Sequence, residues 1–252
     1  RFTMNRPDLL NALTEDIKND FASMLDYVEG NAEVGALVLA GAGRAFSAGG
    51  NVKNMQSTGE EPTVFRNRVR TMHTWMQRLF ELDCPVIAEV DGLAYGGGFA
   101  LATAADFVMA SPKARFCAVF GRIGLIPDMA LLYTLPRAVG NQRAKELMYT
   151  ARSFDAAEAK ALGLVLSVHD SAALGQAVDA FAARLAQGSR QAIGLTKQLI
   201  NRSHASDYAT MAELEANGQS MMHETPFHAE AVRRFVAKEP ALYNWDDMEK
   251  GG

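Results

Sequence analysis

Asp91-Gly92-Leu93-Ala94-Tyr95-Gly96-Gly97-Gly98-Phe99-Ala100 is the stretch on which the reading of this chain turns. It follows Pro85 to Val90, a short apolar run that reads as a buried strand, and it leads into Phe99 to Ala105, which reads as a short helix. Three successive glycines cost backbone entropy, so a merely flexible turn is an expensive explanation for them. They allow a ligand to approach the backbone closely. The helix that follows directs its unpaired N–H groups and positive dipole end at the same place. Taken alone, the motif is equally readable as a structural turn.

A second glycine segment, Gly41-Ala42-Gly43-Arg44-Ala45-Phe46-Ser47-Ala48-Gly49-Gly50, follows the apolar run Val34 to Ala40. It invites a dinucleotide-binding reading, but Phe46 stands where the third glycine of that fingerprint belongs, and a loop through Gly50 follows instead of a helix. Working outward, Thr14 caps an amphipathic helix that runs to Gly30, and Thr63 to Leu82 reads as a long helix. Phe107 to Ala110 reads as a further strand, followed by a helix near Met129. After Asp155, Ala-rich segments of helical period dominate, interrupted by one strand at Leu164 to Val168. This is an α/β chain with a repeated strand–strand–helix core and a helical C-terminal third. Pro226 is a candidate hinge between the last helices.

The 252 residues, 48% hydrophobic, suit one main core. A net charge of −4 with scattered Lys and Arg excludes an electrostatic footprint for nucleic acid. No apolar run approaches the roughly 18 residues of a membrane span, and the first residues show no secretory pattern, so the expectation is a soluble cytoplasmic protein. The chain starts at Arg1-Phe2-Thr3-Met4, which reads as already inside a strand. Cys84 and Cys117 lie among apolar residues in no metal-ligand spacing, and read as core packing with no metal implied.

Several ordered motifs together resemble the crotonase family, also called the enoyl-CoA hydratase/isomerase superfamily. They are Asn5-Arg6-Pro7 with Asn11-Ala12-Leu13, the two glycine segments, Pro85-Val86-Ile87-Ala88, Gly124-Leu125-Ile126-Pro127-Asp128, Leu135-Pro136-Arg137, and the stretch from Ala156 to Val165. The resemblance covers nearly the whole chain. It implies a spiral of ββα units over residues 1–190 carrying an acyl-CoA site, and a helical trimerisation region over residues 191–252. It further implies a homotrimer or pair of trimers, with coenzyme A as part of the substrate and no separate cofactor.

The resemblance maps two backbone N–H donors onto Gly50 and Gly97, between which a thioester carbonyl oxygen would lie. Removing a proton beside a thioester places negative charge on that oxygen, and losing one such donor elsewhere costs about 2.7–4 kcal/mol. The same resemblance puts adenine recognition at the backbone of Ala48 and Gly49. Lys53 or Lys238 is the candidate for the phosphates, a solvated surface lysine being the plainer reading of each. Family hydratases use two glutamates, and those positions here are Ala100 and Phe120, neither able to transfer a proton. Phe120 is left as a candidate to line the acyl group.

Asp128 is the remaining acid–base candidate; from the residues alone it reads equally as the N-cap of the helix that follows. Dienoyl-CoA isomerases, ring-epoxide isomerases and aryl-CoA dehalogenases carry a functional aspartate at this place. Among Ile126, Met129 and Phe120 a carboxyl group is expected to be partly desolvated, with its pKa raised. His73 matches the catalytic histidine of the dehalogenases, although beside Met72 and Trp75 it also reads as packing. An enoyl-CoA isomerase is the leading expectation. A dehalogenase-like hydrolase using Asp128 and His73, a hydratase, and a non-catalytic CoA-binding oligomer are the rivals.

Overall fold

The computed structural model describes residues 1–50 and 61–246. Nine strands form two sheets among these residues. The first sheet is parallel and five-stranded, in the order β1 (Phe2–Met4), β2 (Leu37–Gly41), β4 (Val86–Val90), β6 (Phe107–Ala110), β9 (Ser167–Val168). The second holds β3 (Ala45–Ser47), β5 (Leu93–Tyr95), β7 (Arg115–Cys117) and β8 (Phe154–Asp155), with only the β7–β8 pair antiparallel. The chain alternates between them: β2, β3 and helix α2 (Pro62–Glu81); β4, β5 and helix α3 (Gly97–Ala104); then β6, β7 and, after a short 3-10 turn at Val119–Ile123, helix α4 (Leu131–Val139). Each coil adds one strand to each sheet beside the last. The result is the expected spiral of ββα units.

The strands β2 and β4 are buried on both faces, which is why they read as apolar runs, broken in β4 only by Glu89, which pairs with Arg1. Inside the spiral, Phe99, Phe116 and Phe154 form an aromatic cluster with ring centroids 5.6–5.8 Å apart. On the outside of the first sheet, Leu174 and Val178 of helix α7 (Ser171–Leu185) pack on Val38, Ile87 and Met109. Burying each such side chain stabilises the fold by about 1.5–3 kcal/mol. Helix α1 (Glu15–Gly30) starts at the Thr14 cap, whose hydroxyl accepts from the Ile17 N–H at 3.5 Å, and buries Ile17, Phe21, Leu25 and Val28. Helices α5 (Asn141–Thr150) and α6 (Ala156–Ala161) complete the core, and α8 (Arg190–Ser203), α9 (Tyr208–His223) and α10 (Pro226–Ala237) form the C-terminal region. Among the described residues no helix is long and apolar enough to cross a membrane.

Three details differ from the sequence-based expectations. The strands β3 and β5 occupy stretches that read as loop and turn, and β7 one that carries no strand signal, because three residues are too short to display a period of two. Helix α3 begins at Gly97, two residues early, so the glycines are part of the helix and not only its approach. Asp128 is not a helix cap. Met129 and Ala130 both adopt left-handed conformations (φ 47° and 63°), which delays α4 to Leu131 and makes Ala130 its cap. Cys84 and Cys117 are buried free thiols, as their surroundings suggested.

Candidate active site

The two glycine segments meet. Gly49, at φ 82°, sits so close to the second segment that a Cβ built on it would lie 2.6 Å from the Tyr95 carbonyl oxygen and 2.7 Å from the Gly97 nitrogen. A Cβ on Gly98 would fall 2.2 Å from the Ser47 carbonyl oxygen. Neither position has room for any side chain. Gly97 is the first residue of α3, so its N–H has no carbonyl one turn back to donate to. Gly50, next to Gly49 in the chain, is exposed.

A buried polar network holds this arrangement. Asn11, fully buried at φ 53°, donates through its side-chain nitrogen to the carbonyls of Ala42 (2.9 Å) and Ala45 (2.7 Å) and accepts from the Arg6 N–H (2.8 Å). Ser47 donates its hydroxyl to the Asn11 carbonyl (2.8 Å) and accepts from the Gly49 N–H (3.1 Å). The Leu13 N–H donates to the Gly49 carbonyl (2.8 Å), and Ala48, half-buried, donates its N–H to the Leu10 carbonyl (2.9 Å). The Ser47, Leu13 and Ala48 bonds tie the end of β3 and the loop after it to the segment before α1, and the Asn11 side chain ties that segment to Ala42 and Ala45 as well. The motif Asn11-Ala12-Leu13 therefore has a physical role that its residue types alone do not announce. It orients the peptide groups of Ala48 and Gly49.

Asp128 and His73 line a separate cavity of about 740 Å³. Its walls are Phe65, Val69, His73 and Phe80 of α2, the segment Leu125 to Asp128, Leu132 and Tyr133 of α4, and the start of the C-terminal region through Gln198, Asn201 and Arg202 of α8. Asp128 is half-buried. Burial raises the pKa of its carboxyl group, opposed by the nearby His73 and by a backbone hydrogen bond that both favour the charged form. His73 is on the exposed side of α2, whereas Met76 and Leu79 are the buried residues of that helix, so packing does not account for it. Glu81, Gln77 and His73 share this cavity at a spacing of four residues, with Gln77 donating to Glu81 at 3.1 Å. The sequence reading passed over Glu81 and Gln77, although the recurrence Phe65, Val69, His73, Gln77, Glu81 was the available signal.

Phe120 does not line this cavity. It is buried in the turn before Gly124, with its ring edge against Gly96, and it supports the glycine turn from behind. Ala100 is completely buried in α3. Lys238 is exposed at the left-handed end of α10, and Lys53 lies outside the described residues.

This fold and its paired glycine segments match a family model described as enoyl-CoA hydratase/isomerase over residues 1–247. The chain belongs to that family. It is 34% identical over 238 residues to the 1,2-epoxyphenylacetyl-CoA isomerase of Escherichia coli (strain K12), a match spanning 94% of this chain and 91% of that protein. It is 32% identical over 241 residues to the short-chain-enoyl-CoA hydratase of Clostridium acetobutylicum, covering 94% and 90%. Among solved structures it is similar to an enoyl-CoA hydratase/isomerase from Cupriavidus metallidurans CH34, with a TM-score of 0.91, 39% identity, and coverage of 96% of this chain and 91% of that one. As an enoyl-CoA hydratase/isomerase family member the chain is an acyl-CoA-processing enzyme. Its relatives carry both names, so the choice of reaction rests on the residues of the site.

Proposed function

We propose that this enzyme is an acyl-CoA isomerase that moves a double bond through an enolate. The Gly50 and Gly97 N–H groups bond the thioester oxygen. The Asp128 carboxylate takes a proton from the α-carbon of a 3-enoyl thioester, the electrons move onto the oxygen as a dienolate, and Asp128 returns the proton to the γ-carbon. One carboxyl group suffices, and proton balance closes without water or a cofactor. The observation that carries this reading is the half-buried Asp128, its pKa raised, on an apolar cavity wall, while both positions of the hydratase glutamates hold Ala100 and Phe120. The relative named as an epoxyphenylacetyl-CoA isomerase is consistent with it.

A second reading is favoured by one observation, that His73 faces the same cavity as Asp128. In a dehalogenase-like hydrolase the Asp128 carboxylate would attack the halogen-bearing ring carbon of a haloaryl thioester and expel halide, and His73 would activate water to hydrolyse the resulting aryl ester, freeing the hydroxyaryl product and Asp128. Phe120 supports the isomerase instead, since phenylalanine offers no donor to the ring or the aspartate. In both readings adenine is held at the backbone of Ala48 and Gly49, and Lys238 is a candidate for the phosphates. Assembly as a trimer or pair of trimers in the cytoplasm goes with the family; the C-terminal helices leave Tyr208, Phe235 and Val236 76–88% exposed, surface suited to such contacts. An activity screen of 3-enoyl-CoA, 2-enoyl-CoA and 4-chlorobenzoyl-CoA under one set of conditions tests the choice. Turnover of the 3-enoyl thioester alone is expected. Release of chloride, or hydration of the 2-enoyl thioester as the faster reaction, would overturn it.

A further inference from the structure

Met129 stands between the two halves of the site. Asp128 and Ala130, its neighbours in sequence, both line the large cavity, whereas Met129 turns the other way and helps to line a small apolar void with Leu13, Met72, Met76 and Leu101. It is buried, 6% exposed. Its sulfur lies 2.9 Å, and a Leu13 methyl carbon 3.0 Å, from where a Cβ on Gly97 would stand. The open face of Gly97 is therefore covered by these two side chains. Met129 also holds its place in a left-handed conformation, as does Ala130 after it, a combination that side chains beyond glycine rarely adopt.

We infer that Met129 is a specificity-determining residue that admits acyl groups unbranched at the α-carbon. The inference rests on the thioester assignment above. If the carbonyl oxygen is held at the Gly97 N–H while Asp128 reaches the α-carbon, that carbon passes beside Met129, the residue joining those two groups. A hydrogen fits there. A second carbon on the α-position meets the thioether and the Leu13 methyl group, packed from behind by Met76, and a close-packed interior yields little room for it. A methionine is adaptable, but its neighbours here are buried side chains and not solvent.

Calorimetric affinities of butyryl-CoA and 2-methylbutyryl-CoA, which differ only in the methyl branch at the α-carbon, test this without requiring turnover. The unsubstituted enzyme is expected to prefer butyryl-CoA by at least about tenfold. Met129→Ala should reduce the preference to within about threefold, chiefly by improving 2-methylbutyryl-CoA binding, and Met129→Leu, which keeps the volume, should restore it. A damaged fold would weaken both ligands together and leave their ratio unchanged. Equal affinities in the unsubstituted enzyme, or a ratio in a folded Met129→Ala variant equal to that of the unsubstituted enzyme, would overturn the inference while leaving the thioester assignment intact. Failure of both ligands to bind the unsubstituted enzyme would overturn the thioester assignment and the inference with it.

Discussion

The glycine junction and the Asp128 cavity are built on opposite principles. At the junction the proposed working groups belong to the backbone, and side chains are excluded by distance: a Cβ on Gly49 or Gly98 would overlap main-chain atoms of the facing segment. In the cavity the proposed working group is a side chain, Asp128, with His73 on the same lining and ample volume between the walls. A backbone donor is fixed by the fold, so a family can keep it while changing its chemistry. A carboxyl group on a cavity wall is set by one residue, and moving it changes the reaction.

The comparison is broken most severely at the junction. Gly97→Pro removes one N–H from the donor set, and proline is compatible with the first turn of a helix, although its ring also presses on the Met129 sulfur and a Leu13 methyl carbon, 2.9 and 3.0 Å from a Cβ built there. Turnover should fall by about 10²–10³. Binding of acetyl-CoA should weaken less, as read by calorimetry on a variant whose circular dichroism matches the unsubstituted protein. Retention of full turnover in that folded variant would remove Gly97 as a donor.

The cavity side is probed by Asp128→Asn, expected to cost about a hundredfold in turnover, the usual scale for an acid–base group. His73→Gln should change it by less than about threefold. If both substitutions are equally severe, and the intact protein gains mass from an aryl adduct, the cavity works by nucleophilic chemistry instead.

A smaller effect concerns stability. Burial raises the Asp128 pKa in the folded chain, so above the ordinary carboxylate range the native state binds more proton than the unfolded state, and stability falls as pH rises through the raised value. Below the ordinary range both states are protonated and the contribution is fully present. Asp128→Asn should therefore be more stable than the unsubstituted protein at neutral pH, with the gap closing in acid, measurable by urea unfolding at several pH values. A gap that widened in acid would mean that the carboxylate is stabilised in the fold.

The difference between the two regions also governs what the sequence makes legible. The buried strands, the long helices and the two glycine segments announce themselves by apolar runs, period and backbone freedom, and the ordered motifs carried the family. The strands β3, β5 and β7 were hidden because a three-residue strand owes its existence to its neighbours, as Leu93–Tyr95 does to the strands on either side. Phe120 was expected at the acyl group; its ring packs on Gly96 and is not on the lining of the Asp128 cavity, a placement that its position beside the motif does not announce. Asp128 read equally as a helix cap until the left-handed Met129 and Ala130 removed that role, and no residue type there signals such a conformation. Asn11 was visible as part of a motif, but its bonds to Ala42 and Ala45 join residues more than thirty positions apart.

Isotope tracing over repeated forward and reverse turnovers, in which the proton held by Asp128 has time to exchange with solvent, reaches the central claim most directly. With a 3-enoyl-CoA substrate in deuterated, oxygen-18-labelled water, the account predicts deuterium at the α- or γ-carbon of the 2-enoyl product, with no labelled oxygen incorporated. Asp128→Asn should abolish that exchange, while acyl-CoA binding survives. Labelled oxygen in the product, or deuterium exchange at the native rate in the Asp128→Asn variant, would contradict it.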